Sequence, residues 1–253
     1  MAHPLVAANW KMNTTLTEAE ALVRAEMAEL GALDGLDVVL CPPFVSLGRV
    51  AGLVKGTRLH VGAQNLHWEN EGAFTGEVSA DMLRHLCKYV IVGHSERRQL
   101  FGETDEMVSR KVKAALAADL IPILCVGEVL EEREQGRAIE VVTTQVRAAL
   151  EGVASTDRVV VAYEPVWAIG TGLAADGAAA EEMCGLARQL VAEAQGEGAA
   201  KYTPILYGGS VNPDNISQYV GQPNVDGALV GGASLKPDQF VAIARATAEA
   251  RVA

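Results

Sequence analysis

Short apolar runs recur along the chain, and each is followed by a polar cluster and then by an alanine- and glutamate-rich stretch with helical periodicity. Such runs predict strands, and apolar positions three and four residues apart predict amphipathic helices. Eight strands are predicted, at residues 6–9, 38–41, 60–63, 89–93, 121–126, 159–163, 205–207 and 227–230. Their spacing averages about 30 residues, the length of one β/α unit.

Local patterns support this repeat and indicate how the strands are arranged. Thr17 and Glu20 have the spacing of a capping box before the first helix. The run Val159-Val160-Val161-Ala162 is apolar without alternation, which is typical of parallel strands covered on both faces. Six strands would suit an open doubly wound sheet, whereas eight regular units favour closure. We therefore predict an α/β fold, a (β/α)8 TIM barrel, with residues 1–253 forming a single domain.

Composition is consistent with one large domain and excludes some partners. The chain has 253 residues, of which 49% are hydrophobic, and no Pro/Ser-rich linker divides it. Lys and Arg total 21 against 32 Asp and Glu, a formal net charge of -11. This balance argues against nucleic acid or an anionic membrane surface as the main partner. No run approaches the ~18 apolar residues of a membrane span, and the N-terminal residues lack the features of a signal peptide.

The four cysteines indicate no metal site. Cys41, Cys87, Cys125 and Cys184 lie far apart, without the spacing of metal ligands. Reduced thiols in the cytoplasm are the better interpretation, and we predict no bound metal.

Polar residues follow several of the predicted strands. If the sheet is parallel, the strand ends meet at one mouth, where barrels of this kind carry their chemistry. Because strand side chains alternate, Asn9 and Lys11 share one face, as do His94 and Glu96. Taken singly, such a lysine is more often solvated and such a histidine more often structural. Glu164 directly follows an apolar run, so it is either desolvated at a cost or functional.

Two glycine pairs, Gly208-Gly209 and Gly231-Gly232, end the last two predicted strands. Backbone N–H groups hold a phosphate well, and glycine lets the backbone approach it closely. Many barrels build a phosphate site at this position. Gly170-Thr171-Gly172 lacks the third glycine of a dinucleotide fingerprint, and no other nucleotide, zinc-protease or serine-hydrolase motif is present. The residues thus predict a phosphate-binding barrel.

One long segment resembles a known family. The segment Ala162-Tyr163-Glu164-Pro165-Val166-Trp167-Ala168-Ile169-Gly170-Thr171-Gly172 is similar to the signature of triosephosphate isomerases. Further segments resemble the same family in the same order: Ala8-Asn9-Trp10-Lys11-Met12-Asn13, Gly62-Ala63-Gln64-Asn65, Gly93-His94-Ser95-Glu96-Arg97-Arg98, Tyr207-Gly208-Gly209-Ser210-Val211 and Gly231-Gly232-Ala233-Ser234-Leu235. The similarity spans nearly the whole chain.

The resemblance implies a reaction and its residues. It implies a cofactor-free interconversion of dihydroxyacetone phosphate and D-glyceraldehyde 3-phosphate through an enediolate, in glycolysis and gluconeogenesis. Glu164 would be the base and His94 a neutral donor with a lowered pKa, as in the family. The resemblance assigns the remaining roles as follows: Asn9, Lys11 and Glu96 complete the catalytic set, and Asn9, Lys11, Gly170, Ser210, Gly231 and Gly232 bind the phosphorylated triose.

The resemblance also implies a lid and a homodimer. The lid comprises Pro165, Val166, Trp167, Ala168, Ile169, Gly170, Thr171 and Gly172, with Tyr207 and Ser210 as partners of its closed form. The hinge residues just beyond the lid are Leu173-Ala174-Ala175 and Asp176-Gly177. They differ from the hinge sequence that is more usual in the family, so the resemblance does not predict the rate of lid opening. Thr75 lies in a long loop, Gln64–Glu77, and would contact the partner subunit near its Asn9 and Lys11.

Two other functions remain as alternatives. The first is another sugar-phosphate barrel, such as a Schiff-base aldolase that uses Lys11. The second is a catalytically inactive binding or scaffold protein on the same fold. Retention of Lys11, His94 and Glu164 argues against the second alternative.

Overall fold

Eight parallel strands form a closed barrel. The computed structural model describes residues 2–154, 158–169 and 175–252. The strands pair in chain order, and the last pairs with the first. They are β1 (Leu5–Asn9), β2 (Asp37–Cys41), β3 (His60–Ala63), β4 (Tyr89–Val92), β5 (Ile121–Val126), β6 (Val160–Tyr163), β7 (Ile205–Tyr207) and β8 (Gly227–Val230). The predicted (β/α)8 barrel is confirmed, and each predicted strand lies within one residue of the observed bounds.

Helices cover the outside of the barrel. In chain order they are α1 (Leu16–Gly31), α2 (Phe44–Val54), α3 (Ala80–Leu83), α4 (Ser95–Phe101), α5 (Asp105–Ala117), α6 (Leu130–Glu134), α7 (Ala138–Leu150), α8 (Gly177–Gln195), α9 (Glu197–Tyr202), α10 (Ile216–Val220) and α11 (Pro237–Val252). Two single 3-10 turns, Val166–Ala168 and Gly232–Leu235, follow β6 and β8. None of the helices in the described ranges is long and apolar enough to cross a membrane.

The start of α1 differs from the prediction. Its capping box is formed by Thr15 and Glu18: the Glu18 amide donates to Thr15 Oγ1, and the Thr15 amide donates to Glu18 Oε2 at 2.8 Å. The predicted pair of Thr17 and Glu20 is therefore wrong by two residues, because the same Thr-x-x-Glu spacing occurs twice in succession. Glu20 instead pairs with Arg24 and Arg49, at 2.8 and 2.7 Å.

The core has two layers because strand side chains alternate. One cluster fills the barrel and includes Leu5 and Ala7 of β1. The larger cluster lies between strands and helices and includes Val6, Ala8 and the fully buried Trp10. Trp10 thus points outwards from the barrel, and its neighbours Asn9 and Lys11 are left for the mouth.

The barrel closes where β1 meets β8. Leu5 lies beside Gly227 in the register of this pair. Gly227 has a φ of 158°, and a Cβ atom there would lie 1.8 Å from the Leu5 carbonyl oxygen. Glycine is therefore required for the two strands to approach at this point.

Candidate active site

A cavity of about 270 Å³ lies at the carboxyl ends of the strands, and we call it the mouth cavity. Seven of the predicted site residues line it: Asn9, Lys11, His94, Glu164, Ser210, Gly231 and Gly232. Ile169 of the predicted lid also lines it. Gly170, Thr171, Gly172, Leu173 and Ala174 lie outside the described residues. Side chains that are far apart in sequence are therefore brought together by the parallel strands.

Glu164 is fixed at the end of β6 by its backbone and its carboxylate. Its amide donates to the Val126 carbonyl oxygen at 2.7 Å, so it continues the strand pairing with β5. The side chain is 2% exposed. The Ser95 amide donates to Oε2 at 2.9 Å, and His94 Nε2 lies 3.0 Å from Oε1. The two carboxylate oxygens thus have one partner each.

The surroundings of Glu164 favour the ionised form. Burial by itself raises the pKa of a carboxyl group. Here His94, the Ser95 amide and the charge of Lys11 outweigh burial and lower the pKa of Glu164 below its ordinary value. The group is therefore a buried carboxylate at neutral pH, which is the form that a base requires.

His94 occupies the N-cap position of α4, and this fixes its tautomer. The Glu96 amide donates to His94 Nδ1 at 3.2 Å. Since Nδ1 accepts this hydrogen bond, the proton of the neutral ring is on Nε2, the nitrogen beside Glu164. The helix end thus directs an N–H donor towards the mouth cavity.

The pKa of His94 differs from the expectation. Burial lowers the pKa of His94, but the charge and hydrogen bond of Glu164 outweigh burial and raise it from its ordinary value. The lowered pKa implied by the resemblance is therefore not found while Glu164 contacts Nε2. The cause is the 3.0 Å contact itself, since a neighbouring carboxylate stabilises the imidazolium.

Lys11 is held in an uncommon backbone conformation, with a φ of 53°. Its amide donates to Asn9 Oδ1 at 3.0 Å, and Gln64 Nε2 donates to its carbonyl oxygen at 2.9 Å. Lys11 Nζ lies 2.6 Å from Glu96 Oε1. These contacts aim the ammonium group across the mouth, and they place Glu96 beside Lys11.

The last two strands end in backbone that a phosphate could approach. Gly231 lies next to Lys11, since a Cβ atom on Gly231 would lie 3.4 Å from Lys11 Cε. Gly232 begins a 3-10 turn, and nothing lies within 4 Å of the position its Cβ would take. A dianion here would meet backbone N–H groups and one ammonium group.

Comparison with known proteins agrees with this geometry. A family model described as triosephosphate isomerase matches residues 4–247. The chain belongs to the triosephosphate isomerase family. Triosephosphate isomerases of this family from Roseiflexus sp. and Symbiobacterium thermophilum are 53% and 52% identical over 246 and 254 residues. These alignments cover 96% and 99% of this chain and 97% and 99% of the relatives. The triosephosphate isomerase of Dehalococcoides mccartyi is 49% identical over 248 residues, 98% of each chain.

Glu128 is a residue that the sequence interpretation missed in this member of the triosephosphate isomerase family. Its carboxylate accepts hydrogen bonds from Tyr163 Oη and Trp167 Nε1, at 3.0 and 2.9 Å, and pairs with Arg133 at 3.0 Å. Its carbonyl oxygen accepts from the Val166 amide at 3.1 Å. Glu128 therefore anchors the first turn of the predicted lid. Glu128 lies two residues beyond the end of β5, so a carboxylate close to a strand end is a signal the sequence contained.

Beyond the lid, Tyr207 stacks on Tyr219 with 4.0 Å between ring centroids. Tyr219 Oη donates to the Ala175 carbonyl oxygen at 2.8 Å. The chain is thus held at Ala175, just after the residues that the structure does not describe. Ser210 lines the mouth cavity as predicted.

Neither a reactive cysteine nor a metal site is found among the described residues of the site. Cys125 lies inside the barrel, and burial raises the pKa of its thiol well above the usual range. A protonated, buried thiol is a weak nucleophile, so packing accounts for this residue. Within the described ranges, no three His, Cys, Asp or Glu side chains are grouped closely enough to hold a metal ion.

Proposed function

We propose that this chain interconverts dihydroxyacetone phosphate and D-glyceraldehyde 3-phosphate in glycolysis and gluconeogenesis, with Glu164 as the base. Membership of the triosephosphate isomerase family supports the reaction. One observation of the geometry supports the roles of Glu164 and His94: a buried carboxylate with a lowered pKa lies 3.0 Å from the N–H donor of His94. A base and a donor this close can act on adjacent atoms of one small substrate.

The reaction follows from these two groups. Glu164 removes a proton from the carbon next to the carbonyl group; the electron pair of that C–H bond forms a C=C bond, and the π pair of the carbonyl group moves onto its oxygen. The enediolate carries more negative charge than the substrate, so His94 Nε2–H and Lys11 Nζ stabilise the transition state more than the ground state. Glu164 then returns the proton to the neighbouring carbon, while the oxygens exchange one proton. The substrate is isomerised without any net loss or gain of atoms.

The substrate must separate Glu164 from His94. In the structure Glu164 Oε1 occupies the hydrogen-bonding position in front of His94 Nε2. A substrate oxygen that accepts from Nε2–H takes this position, and the carboxylate is then free to face the carbon. Removal of the carboxylate charge from Nε2 also lowers the pKa of His94, which favours the neutral donor.

We place the phosphate group of the substrate at the amides of Ser210, Gly231 and Gly232, with Gly170 of the lid on the opposite side. Lys11 supplies the positive charge nearest to Gly231. Asn9, whose side chain orients the Lys11 backbone, completes this end of the site. The lid, residues 165–172, then excludes water so that the enediolate does not lose its phosphate.

We further propose a homodimer in which Thr75 approaches the Asn9 and Lys11 region of the partner subunit. Thr75 is exposed, and large apolar side chains near the same side of the barrel are exposed as well. They belong to the loops and helices between β1 and β5: Met12 (96% exposed), Val45 (78%), Phe74 (43%), Leu100 (73%) and Phe101 (66%). Exposed apolar groups on one side of a molecule favour a protein interface.

We also propose that residues 1–253 form one domain and that the protein works in the cytoplasm, without a cofactor, a nucleic acid partner or a membrane partner. The four cysteines are free and buried, which suits a reducing compartment.

Replacement of the base tests the mechanism. Glu164→Gln keeps the volume and removes the charge, so kcat should fall by roughly 10²–10⁴, the contribution of a positioned general base. A coupled assay with D-glyceraldehyde 3-phosphate measures it. Glu26→Gln is the matched control, because Glu26 is also fully buried but lies in α1, away from the mouth.

Two outcomes would reject the proposal. An unchanged kcat in Glu164→Gln would remove Glu164 from the mechanism, and absence of isomerisation by the wild-type protein would reject the reaction. Trapping of a substrate on Lys11 by borohydride would instead support the aldolase alternative, which the 2.6 Å ion pair of Lys11 with Glu96 disfavours.

A further inference from the structure

A second cavity, of about 390 Å³, lies on the other side of Glu164 from the mouth cavity. It is bounded by the segments that follow β4 and β5 and by Val166 at the start of the lid. Glu164 lines both cavities, and Cys125 lines only the second. The proposed reaction uses the side of Glu164 that faces the mouth, so the second cavity has no assigned role.

The charged residues that line the second cavity are mainly acidic. Glu103, Asp105, Glu132 and Glu164 all line it, and Arg98 is the one basic residue among its described lining residues. The guanidinium group of Arg98 already has partners, because it donates to Asp105 Oδ1 at 2.5 Å and to the Gly93 carbonyl oxygen at 2.7 Å. The excess of carboxylates favours a positively charged occupant.

Glu103 offers a specific contact. Its side chain is 1% exposed, and its Oε1 accepts from Arg97 and Lys111, neither of which lines the cavity. Its Oε2 is buried and has no hydrogen-bond partner within the described ranges. A buried charged oxygen without a donor costs stability, so a donor that reached it from the cavity would gain a strong hydrogen bond.

A second acceptor and an apolar wall complete the site. Glu132 uses Oε2 to accept from the Val129 amide at 2.9 Å, which leaves Oε1 for another donor. Val126, Val129 and Val166 supply apolar surface. The grouping of acidic side chains does not suit a metal ion, since no cluster of three metal-ligating side chains occurs in the part of the chain that is described.

We propose that the second cavity binds a small organic cation with several N–H donors on a flat apolar body, an aryl amidine or guanidine, between Glu103 Oε2, Glu132 and the three valines. The volume lies within the range of small-molecule sites. A cation at this position also stabilises the ionised form of Glu164 and makes it a weaker base, so kcat falls while KM changes little. This second effect rests on the proposed function; the binding does not.

Benzamidine is the probe, and benzamide is its neutral counterpart of the same shape. Calorimetry on the full chain, with saturating inorganic phosphate in the mouth cavity, should give a Kd for benzamidine of about 1 mM or tighter, as expected for a ligand of this size. Benzamide should bind at least about tenfold more weakly, because it lacks the charge.

A matched pair of variants locates the site. Glu132→Gln removes one lining charge and keeps the acceptor for the Val129 amide, so it should weaken benzamidine binding about threefold to tenfold. Glu131→Gln removes a neighbouring charge of the same helix that does not line the cavity, and it should leave the Kd unchanged.

Three results would overturn the site: equal binding of benzamide, displacement of benzamidine by phosphate, or equal effects of the two variants. No binding of benzamidine at 20 mM, roughly twentyfold above the expected Kd, would also overturn it. Binding without a fall in kcat would keep the site and contradict its coupling to Glu164.

Discussion

At the scale of single residues, Lys11 has a backbone conformation that a lysine ordinarily avoids. A positive φ costs a residue with a Cβ atom about 1 kcal/mol, and strain of this kind persists where the surroundings impose it. Here Asn9 and Gln64 hold the backbone on both sides. The protein therefore loses folding free energy at Lys11, and the strained backbone sets the direction of the Lys11 ammonium group.

Glycine and alanine at position 11 should separate the side chain from the strain. Both Lys11→Gly and Lys11→Ala remove the ammonium group, so both should lower kcat/KM by roughly 10²-fold or more. Lys11→Gly should be about 1 kcal/mol more stable than Lys11→Ala, because glycine adopts the left-handed conformation without strain. Urea unfolding and the coupled assay measure the two effects. Equal stability of the variants would show that the backbone is not strained.

Glu26 is a buried carboxyl group without a partner. It is fully buried in α1, both of its carboxyl oxygens lack hydrogen-bond partners among the described residues, and burial raises its pKa to about 8. The unfolded chain has the ordinary value of 4.5, so between these pH values the folded protein binds more protons than the unfolded chain.

The free energy of unfolding should therefore fall as the pH rises from 4.5 to about 8, by at most roughly 1.4 kcal/mol per pH unit from this group. Urea unfolding across this range measures the slope. Glu26→Gln should flatten it, whereas Glu29→Gln, an exposed carboxylate of the same helix that pairs with Arg245, should leave it unchanged. The same slope in wild type and Glu26→Gln would rule out Glu26 as its source.

At the scale of elements, the ends of β5 and β6 are packed against each other. A Cβ atom on Gly127 would lie 1.7 Å from the Glu164 carbonyl oxygen, so Gly127→Ala must displace the backbone that carries the base. A misplacement of about 1 Å can cost roughly 10²-fold in rate, and we expect kcat to fall by about 10- to 100-fold.

The control for this prediction is Gly48→Ala, in α2. Nothing lies within 4 Å of the position that its Cβ would take, so this variant should keep wild-type kcat. Far-ultraviolet circular dichroism should show that both variants keep their helices. Full activity in Gly127→Ala would show that the β5–β6 contact does not position Glu164.

The sequence predicted the elements better than the contacts between them. Every strand was predicted because parallel strands in a barrel are short, apolar and evenly spaced. Asn9, Lys11, His94 and Glu164 were predicted because strand ends converge. Which side-chain atoms meet depends on the loops, so the contact between His94 and Glu164 was not predicted. Neither was the raised pKa of His94 that follows from it.

The helix start and the buried acids show a different limit. The Thr-x-x-Glu spacing fits both Thr15 and Thr17, and only the three-dimensional entry of the chain into α1 decides between them. Glu26 lies four residues from both Leu22 and Leu30, so it shares the buried face of α1 with them. Helix propensity alone does not indicate that a carboxyl group can be buried at this position.

At the scale of the whole molecule, the exposed apolar side chains beside the long loop bear on the proposed assembly into a homodimer. We expect the wild-type protein to sediment as a dimer at micromolar concentration. Thr75→Arg places a bulky charge where the partner subunit is proposed to dock, so it should shift the sedimentation coefficient to that of a monomer and lower kcat/KM by roughly 10-fold or more.

Ser217→Arg is the control for the dimer, because Ser217 is exposed in α10, on the far side of the barrel from the long loop. It should sediment like the wild type. A wild-type protein that is monomeric at all concentrations would contradict the proposed dimer, and a monomeric Thr75→Arg with full activity would contradict the role of the partner subunit at the site.

The closure of β1 on β8 has a consequence for synthesis on the ribosome. Leu5 pairs with Gly227, more than two hundred residues later in the chain. At about 5–20 residues per second, the first strand waits on the order of 10–40 s for its second neighbour. During that time its edge is unpaired and open to other nascent chains. The contact that completes the barrel can therefore form only near the end of synthesis, and until then the free edge of β1 is a site for wrong pairing.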